Sequence, residues 1–437
     1  MDKQEINVFW FRRDLRLDDN IGLNMAFQSG LPVLPVFIFD PLILNKLEDR
    51  EDARVSYIHK SLKAINEQFN KQGSSLRVLH QTPLEAWKHI LEHHRIHTVF
   101  TNSDYEPYAR QRDQAVADLL KQMGVHFSEH KDHVIFEKDE ILKSNGEPYT
   151  VFTPYKNRWL EKFLGGAPLT VQPAGSRTGK LFPCIYPFPE LETIGFMPSS
   201  LRVPRVNYTS INKGYERSRD IPSIDGTART SVHLRFGTIS VREVAMHAVH
   251  NHADTWLNEL IWRDFYSMII WHFPHTVNES FKKAYDNIRW RNNEQEFKAW
   301  CAGKTGYPIV DAGMRQLKTT GWMHNRVRMI TASFLCKHLL IDWRWGEAYF
   351  AQKLLDYDLA SNVGGWQWAA GSGNDAAPYF RIFNPELQMK KFDPQLQYVR
   401  TWVPEFNDPF MYPKPIVDHK MARERVLTEY KRALTEP

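Results

Sequence analysis

Five short runs of apolar or β-branched residues punctuate the first part of the chain, at 6–11 (INVFWF), 33–39 (VLPVFIF), 76–80 (LRVLH), 97–101 (HTVFT) and 125–128 (VHFS). Between them, stretches such as 53–70 and 108–123 repeat apolar residues at spacings of three and four, the period of a helix with one buried face. Strands and helices alternating in this rhythm predict a parallel α/β sheet, with ligand sites at the carboxyl ends of its strands. The first strand runs directly into RRDLRLDDN at 12–20 with no glycine-rich turn, so a Rossmann dinucleotide site is not supported there. From 165 to 206 the composition turns to Pro, Gly and Ser, which predicts a long connector over the surface. Beyond it strand-like runs nearly vanish. The segments 241–251, 255–271, 297–300, 308–320 and 326–340 keep helical spacing, so the rest of the chain reads as all-α. The pattern gives an α/β domain at 1–130, a connector at 131–205 and a helical domain at 206–437.

One stretch fits neither a surface loop nor an ordinary core helix. At 355–385, Trp366 and Trp368 stand beside Gly364 and Gly365, amid Asp356, Asp358, Asn362, Asn374 and Asp375, with no Lys or Glu to solvate the segment. A buried Asp or Asn without partners costs about 1–3 kcal/mol, so these polar groups are expected to face a ligand.

Composition adds three constraints. A chain of 437 residues has room for about two or three domains, and a net charge of +5 permits an anionic partner without demanding one. Cys184, Cys301 and Cys336 lie far apart without metal-ligand spacing, so free thiols and no metal site are expected. The N-terminal MDKQEINVFWF has no signal-peptide core and no apolar run reaches the roughly 18 residues of a membrane span, which points to a soluble, cytoplasmic protein. The 14 tryptophans are the compositional outlier.

Candidate chemistry gathers in three further places. At 226–231 (GTARTS), Thr227, Thr230 and Ser231 suit a helix cap or a phosphate cradle, with Arg229 as charge partner. In WLNELIWRDFY, Glu259 shares a helical face with Trp262 and Arg263, behind Trp256. In GWMHNRVRM, Asn325 and Met329 face one way, Arg326 lies beside them, and Arg328 is placed to reach a buried carboxylate, Asp356 or Asp358. A large planar redox cofactor such as a flavin accounts for an Arg–Asp pair, a neutral amide and aromatic neighbours in one pocket.

FRRDLRLDDN, WLNELIWRDFY, TGYPIVDAGMRQLKTTGWMHNRVRM and DLASNVGGWQWAAGSGNDAAPYFRIFNP, in that order, resemble the photolyase and cryptochrome family over nearly the whole chain. The resemblance implies a Rossmann-like antenna domain, the long connector and a helical domain that binds FAD. By position, Tyr215, Thr227, Arg229, Thr230 and Ser231 would contact the phosphates, with Trp256 and Arg263 nearby. Arg328 would pair with Asp356 beside the isoalloxazine, Asp358 would lie against it, and Asn362 would face flavin N5, where a non-titrating amide carbonyl accepts an N–H. Ala228 stands where the family usually has a hydroxyl residue, which leaves that contact to backbone N–H groups.

Side chains then select the substrate. Glu259, Trp262, Asn325, Arg326, Met329 and Trp368 resemble the pocket mouth of class I repair enzymes for cyclobutane pyrimidine dimers. Enzymes for (6-4) lesions carry histidines at the positions of Asn325 and Met329, because that reversal needs a proton donor. The implied reaction flips the dimer out of DNA, flanks it with Trp262 and Trp368, and hydrogen-bonds it through Glu259; an electron from photoexcited reduced FAD breaks both cyclobutane bonds and returns. Trp366, Trp343 and Trp290 match the family's relay that reduces oxidised flavin in light. Tyr108 and Ala109 replace the Asn-Glu pair of folate-binding members, which disfavours a folate antenna; a deazaflavin or flavin near Phe37, Asp40 and Asp104, or no antenna, are the alternatives. A monomer acting on damaged DNA is expected. The rivals are a signalling cryptochrome, disfavoured by the pocket mouth and by the absence of a disordered tail after Trp402, and a single-strand-preferring DASH-type photolyase.

Overall fold

The structure is a computed structural model that describes residues 3–435 apart from 167–180, 207, 209–210 and 212–213. In chain order it contains β1 (Glu5–Phe11), β2 (Val33–Phe39), α1 (Ala53–Asn70), β3 (Arg77–His80), β4 (Arg95–Asn102), α2 (Pro107–Gln122), β5 (His126–His130) and α3 (Phe152–Leu164). The later elements used below are α4 (Ser231–Phe236), α5 (Val241–His250), α6 (Asp254–His272), α7 (Pro308–Thr320), α8 (Asn325–Ser333), α9 (Trp343–Lys353), α10 (Leu359–Ala370), α11 (Pro385–Phe392) and α12 (His419–Thr435). Contacts divide the chain into two compact units, 1–137 with 162–208 and 229–250, and 138–161 with 209–228 and 251–437. No helix among the described residues is long and apolar enough to cross a membrane.

The first unit holds a fully parallel sheet of order β3-β2-β1-β4-β5. Of its inner strands, β1 and β2 are nearly continuous apolar runs because both faces are covered: every residue of β2 is buried, and all of β1 after Glu5. The edge strands β3 (RVLH) and β5 (HFSEH) are more polar, and inner β4 (RIHTVFTN) starts with the exposed Arg95 and His97 before it is buried.

RRDLRLDDN follows β1, at the end of the sheet where a ligand loop is expected, and the chain fills that position with its own charges. Arg16 Nη2 lies 2.7 Å from both carboxylate oxygens of Asp132. Arg242, on α5, reaches Asp132 Oδ1 at 2.8 Å and Asp19 Oδ2 at 2.8 Å. Ser240 donates to Asp19, and Leu15 N donates to Phe236 O at 3.0 Å. The four charged side chains are at most 8% exposed, so their mutual pairing has to offset their loss of hydration.

Two expectations change. Of the connector predicted to cross the surface, 167–180 lies outside the described residues, while Leu191, Ile194 and Phe196 are buried in the first unit and Phe182 N donates to Val33 O at 2.9 Å. Among the described residues of this stretch, spaced by prolines, the apolar side chains pack with one short 3-10 turn, Leu191–Ile194. The single helix predicted at 326–340 ends as α-helix at Ser333 and passes into one π-helical turn, Phe334–His338. Lys337 in that turn is 1% exposed, and its ammonium donates to Ala370 O (2.7 Å) and Tyr379 O (3.3 Å) and lies 3.9 Å from the centre of the Tyr430 ring. The π turn accompanies an inward-facing amine whose pKa burial lowers to about 7 and whose N–H groups must meet these acceptors.

Candidate active site

Three helices of the second unit carry most of the candidate residues. On α6, Trp256, Leu257, Leu260, Ile261, Asp264 and Phe265 are buried, which leaves Glu259, Trp262, Arg263 and Tyr266 as a half-buried stripe at spacings of three and four. Glu259 accepts from Arg219 Nη1 at 2.5 Å, and burial raises its pKa against the opposing pull of Arg219. Asp220 next to Arg219 accepts from Arg326 Nη2 at 2.8 Å, so Glu259, Arg219, Asp220 and Arg326 form one chain of alternating charge. Sequence reasoning missed Arg219 and Asp220, because YERSRD has no periodicity that reveals its partners. Tyr215 lies under the Arg219 guanidinium at 5.7 Å, its phenol pushed up to about 12 by burial and then by Glu259.

At the start of α8, Asn325 is exposed and its side chain makes no hydrogen bond with a described residue. Arg326 covers the Phe392 ring at 4.4 Å and comes within 3.6 Å of Met329 Sδ. Arg328 turns to the other side, donating through Nε to Met323 O at 2.8 Å and pairing with Asp356 Oδ2 at 2.8 Å.

The unusual 355–385 stretch contains α10. Asp358 caps it, accepting from Ser361 N at 3.0 Å and Ser361 Oγ at 2.9 Å. The Asn362 amide nitrogen donates to Glu347 Oε1 (2.9 Å) and Glu347 O (3.1 Å), which turns its carbonyl oxygen the other way, where it accepts from no described residue. Burial raises the Glu347 pKa. Two glycines here, Gly364 and Gly346, are spaces for rings. A Cβ at Gly364 would stand 2.2 Å from two carbons of Tyr266, and one at Gly346 on α9 would stand 2.1 Å from the Trp366 indole. Trp366 is 2% exposed and packs 5.0 Å from Phe350 and 6.1 Å from Trp300. Trp343 belongs to the same buried cluster, with Trp290 packed against it, and Trp290 also meets Tyr430 edge-on at 6.1 Å. Trp368 is half-buried, 6.4 Å from Phe383.

Of the phosphate candidates, Thr227 falls in the second unit and Arg229, Thr230 and Ser231 in the first. Arg229 has a left-handed backbone (φ 47°), Thr230 is buried ahead of α4, and Ser231 is exposed. Around the antenna candidates, Asp40 accepts from the Tyr108 hydroxyl and from Leu42 N at 2.9 Å, while Asp104 accepts from Tyr105 N at 2.8 Å and Arg13 at 3.3 Å. Arg13, with Arg112 and Arg12, overcomes burial to bring Asp104 down to about 2. Phe37 is buried edge-on against Phe39.

The α8–α10 surroundings fit a flavin by their donor set. They offer a neutral carbonyl held free by Glu347, an ion pair whose acid is 3% exposed and whose arginine is 25% exposed, and packed indoles on the same helix. Comparison with known proteins agrees over the full length. Residues 7–174 match the DNA photolyase family and residues 256–410 the FAD binding domain of DNA photolyase. The deoxyribodipyrimidine photo-lyase of Escherichia coli is 38% identical, with 98% of each chain covered. A bacterial class III photolyase from Agrobacterium tumefaciens superposes with a TM-score of 0.86 at 34% identity, covering 99% of this chain and 98% of its own. An archaeal photolyase from Sulfolobus tokodaii, described with two FAD molecules, gives a TM-score of 0.84 at 34% identity, covering 98% and 100%. The chain belongs to the DNA photolyase family.

Proposed function

We propose that this protein repairs cyclobutane pyrimidine dimers in DNA by light, as a cytoplasmic monomer with FAD held in the helical unit. The observation that carries the choice of substrate is the α8 face. Asn325 is exposed with its amide unengaged and Met329 stands one turn on, so neither position offers the acidic proton that a (6-4) reversal requires. Arg328, Asp356, Asp358 and Asn362 would hold the isoalloxazine end, and Tyr215, Thr227, Arg229, Thr230 and Ser231 the phosphates, with Trp256 and Arg263 nearby. FAD, when bound and reduced, supplies the electron that light makes available to the dimer.

The chain's own residues do the rest. Basic side chains meet the DNA phosphates, and a dimer that stacks poorly leaves the duplex at reduced cost. Trp262 and Trp368 present indole surface to the flipped bases. Glu259, its pKa raised by burial against the pull of Arg219, would hydrogen-bond the dimer where negative charge develops. The Asn362 carbonyl would accept from the N5 side of the ring at every pH, because the amide does not titrate.

The decisive assay illuminates reduced protein with blue light on a thymine dimer in duplex, single-stranded and (6-4) forms, and follows recovery of thymine absorbance. Recovery on the duplex dimer is expected. None on any dimer substrate would leave a signalling role, recovery confined to single strands would favour a DASH-type enzyme, and (6-4) repair would overturn the α8 argument. A second expectation concerns Asn362→Asp. It sets a carboxyl in place of an amide 2.9 Å from Glu347 Oε1, so the pair must share a proton and the charge facing the ring changes. The flavin species that accumulates during illumination should shift; unchanged spectra would count against the N5 role.

A further inference from the structure

Asn374 and Asp375 were part of the anomaly at 355–385, yet the proposed mechanism gives them nothing to do. The structure places both against the segment leading into α3. Asn374 Nδ2 donates to Thr150 O at 3.0 Å, and Asp375 Oδ2 accepts from Phe152 N at 2.9 Å, setting a carboxylate at the N-terminus of the 13-residue α3. Phe152, thus fixed, lies face to face with Trp262, ring centroids 3.6 Å apart and planes within 6°. Its edge meets Phe265 at 5.7 Å, and about two turns of helix further on Trp159 donates to the buried Asp264 at 3.0 Å, so α3 is clamped along α6. The clamp starts from α10 itself: Gly371 ends that helix with φ 92°, Ser372 N and Gly373 N return to Gln367 O, and Asn374 and Asp375 come next.

We infer that Phe152, anchored by Asp375, is a positioning residue for lesion recognition: it backs one face of Trp262 and fixes the indole in its working orientation before DNA arrives. The arrangement couples the two indoles assigned to the lesion, because the loop leaving the helix of Trp368 holds the ring that supports Trp262. A free indole would lose rotamer freedom on binding, and a stacked one has already lost it. This inference rests on the dimer-repair reading.

The test measures dark binding of FAD-loaded protein to duplex DNA with and without a dimer, together with FAD content, light-driven flavin reduction and repair yield at saturating DNA. Phe152→Leu, similar in bulk but without a ring face, should weaken binding to dimer DNA by about three- to tenfold. Its affinity for undamaged DNA, FAD content, flavin reduction and repair yield at saturation should stay at wild-type values. Phe152→Tyr should restore the affinity, and Asp375→Ala should lower it in the same direction by a smaller factor. Wild-type discrimination in Phe152→Leu overturns the inference, as does an equal loss on damaged and undamaged DNA. If Phe152→Leu fails to retain FAD, Asp375→Ala decides: dimer affinity equal to wild type overturns the inference, and a dimer-specific loss supports it. A wild-type protein that binds dimer and undamaged duplexes alike sinks the dimer reading and this inference together, whereas the other adverse outcomes sink the inference alone.

Discussion

Asp132→Ala is expected to destabilise the α/β unit by about 3–5 kcal/mol, read as a shift of its urea transition in the tryptophan signal. The carboxylate lies between two guanidiniums: Arg16 grips both oxygens at 2.7 Å and Arg242 reaches one at 2.8 Å, with arginine side chains 8% exposed and the acid 2% exposed. Removing it leaves two nearly dry positive charges with Asp19 as the remaining acid of the network. Burial by itself would raise the Asp132 pKa, but Arg16 and Arg242 outweigh it and hold the group below the ordinary carboxylate range. A depressed acid binds fewer protons folded than unfolded. Its stabilisation is therefore complete above about pH 4, where the unfolded group ionises, and is lost as pH falls through the lower folded value. The difference between wild type and Asp132→Ala should accordingly be full at neutral pH and shrink on acidification. A neutral-pH difference under about 1 kcal/mol would mean that desolvation already cancels the pairing.

That network also marks the limit of what RRDLRLDDN discloses. The sequence told only that no glycine loop followed β1, since its partners are Asp132, Ser240 and Arg242, and nothing local to 12–20 names them. Elements held together by their own pattern were legible. All five strands lie within about two residues of the runs read as strands, because each keeps a short core of apolar or β-branched residues, and the helices at 53–70 and 308–320 match at both ends. The π turn was not legible, because Lys337 finds its acceptors 33 and 42 residues away. The site divides the same way. Face-sharing on α6 followed from spacing, whereas Arg219 beside Glu259, Glu347 beside Asn362 and Phe152 beside Trp262 are tertiary pairings between segments with no common period. Gly346 and Gly364 are similar: each is a gap shaped by a ring from another helix, so the sequence shows a glycine and the fold supplies its reason.

Trp366→Phe is expected to abolish light-driven reduction of oxidised flavin in the FAD-loaded protein, while dimer repair by protein reduced beforehand with dithionite persists. Trp366 is four residues beyond Asn362 on α10, one helical turn from the amide assigned to the ring, and it reaches into the buried cluster that contains Trp343 and receives Trp290. An indole gives up an electron far more readily than a benzyl group, so the substitution interrupts a relay while keeping an aromatic ring in place. The structural cost stays below the 3–5 kcal/mol or so of full truncation to Ala, because phenylalanine refills most of the space against Phe350 and Gly346. Trp300→Phe is the control. Trp300 is fully buried and 6.1 Å from Trp366, but it stands outside the series Trp366, Trp343 and Trp290, and its replacement should leave photoreduction intact. Loss of both photoreduction and repair in Trp366→Phe would show that the indole holds the pocket together, and equal loss of photoreduction in Trp300→Phe would show that electrons enter by a different route through the same core.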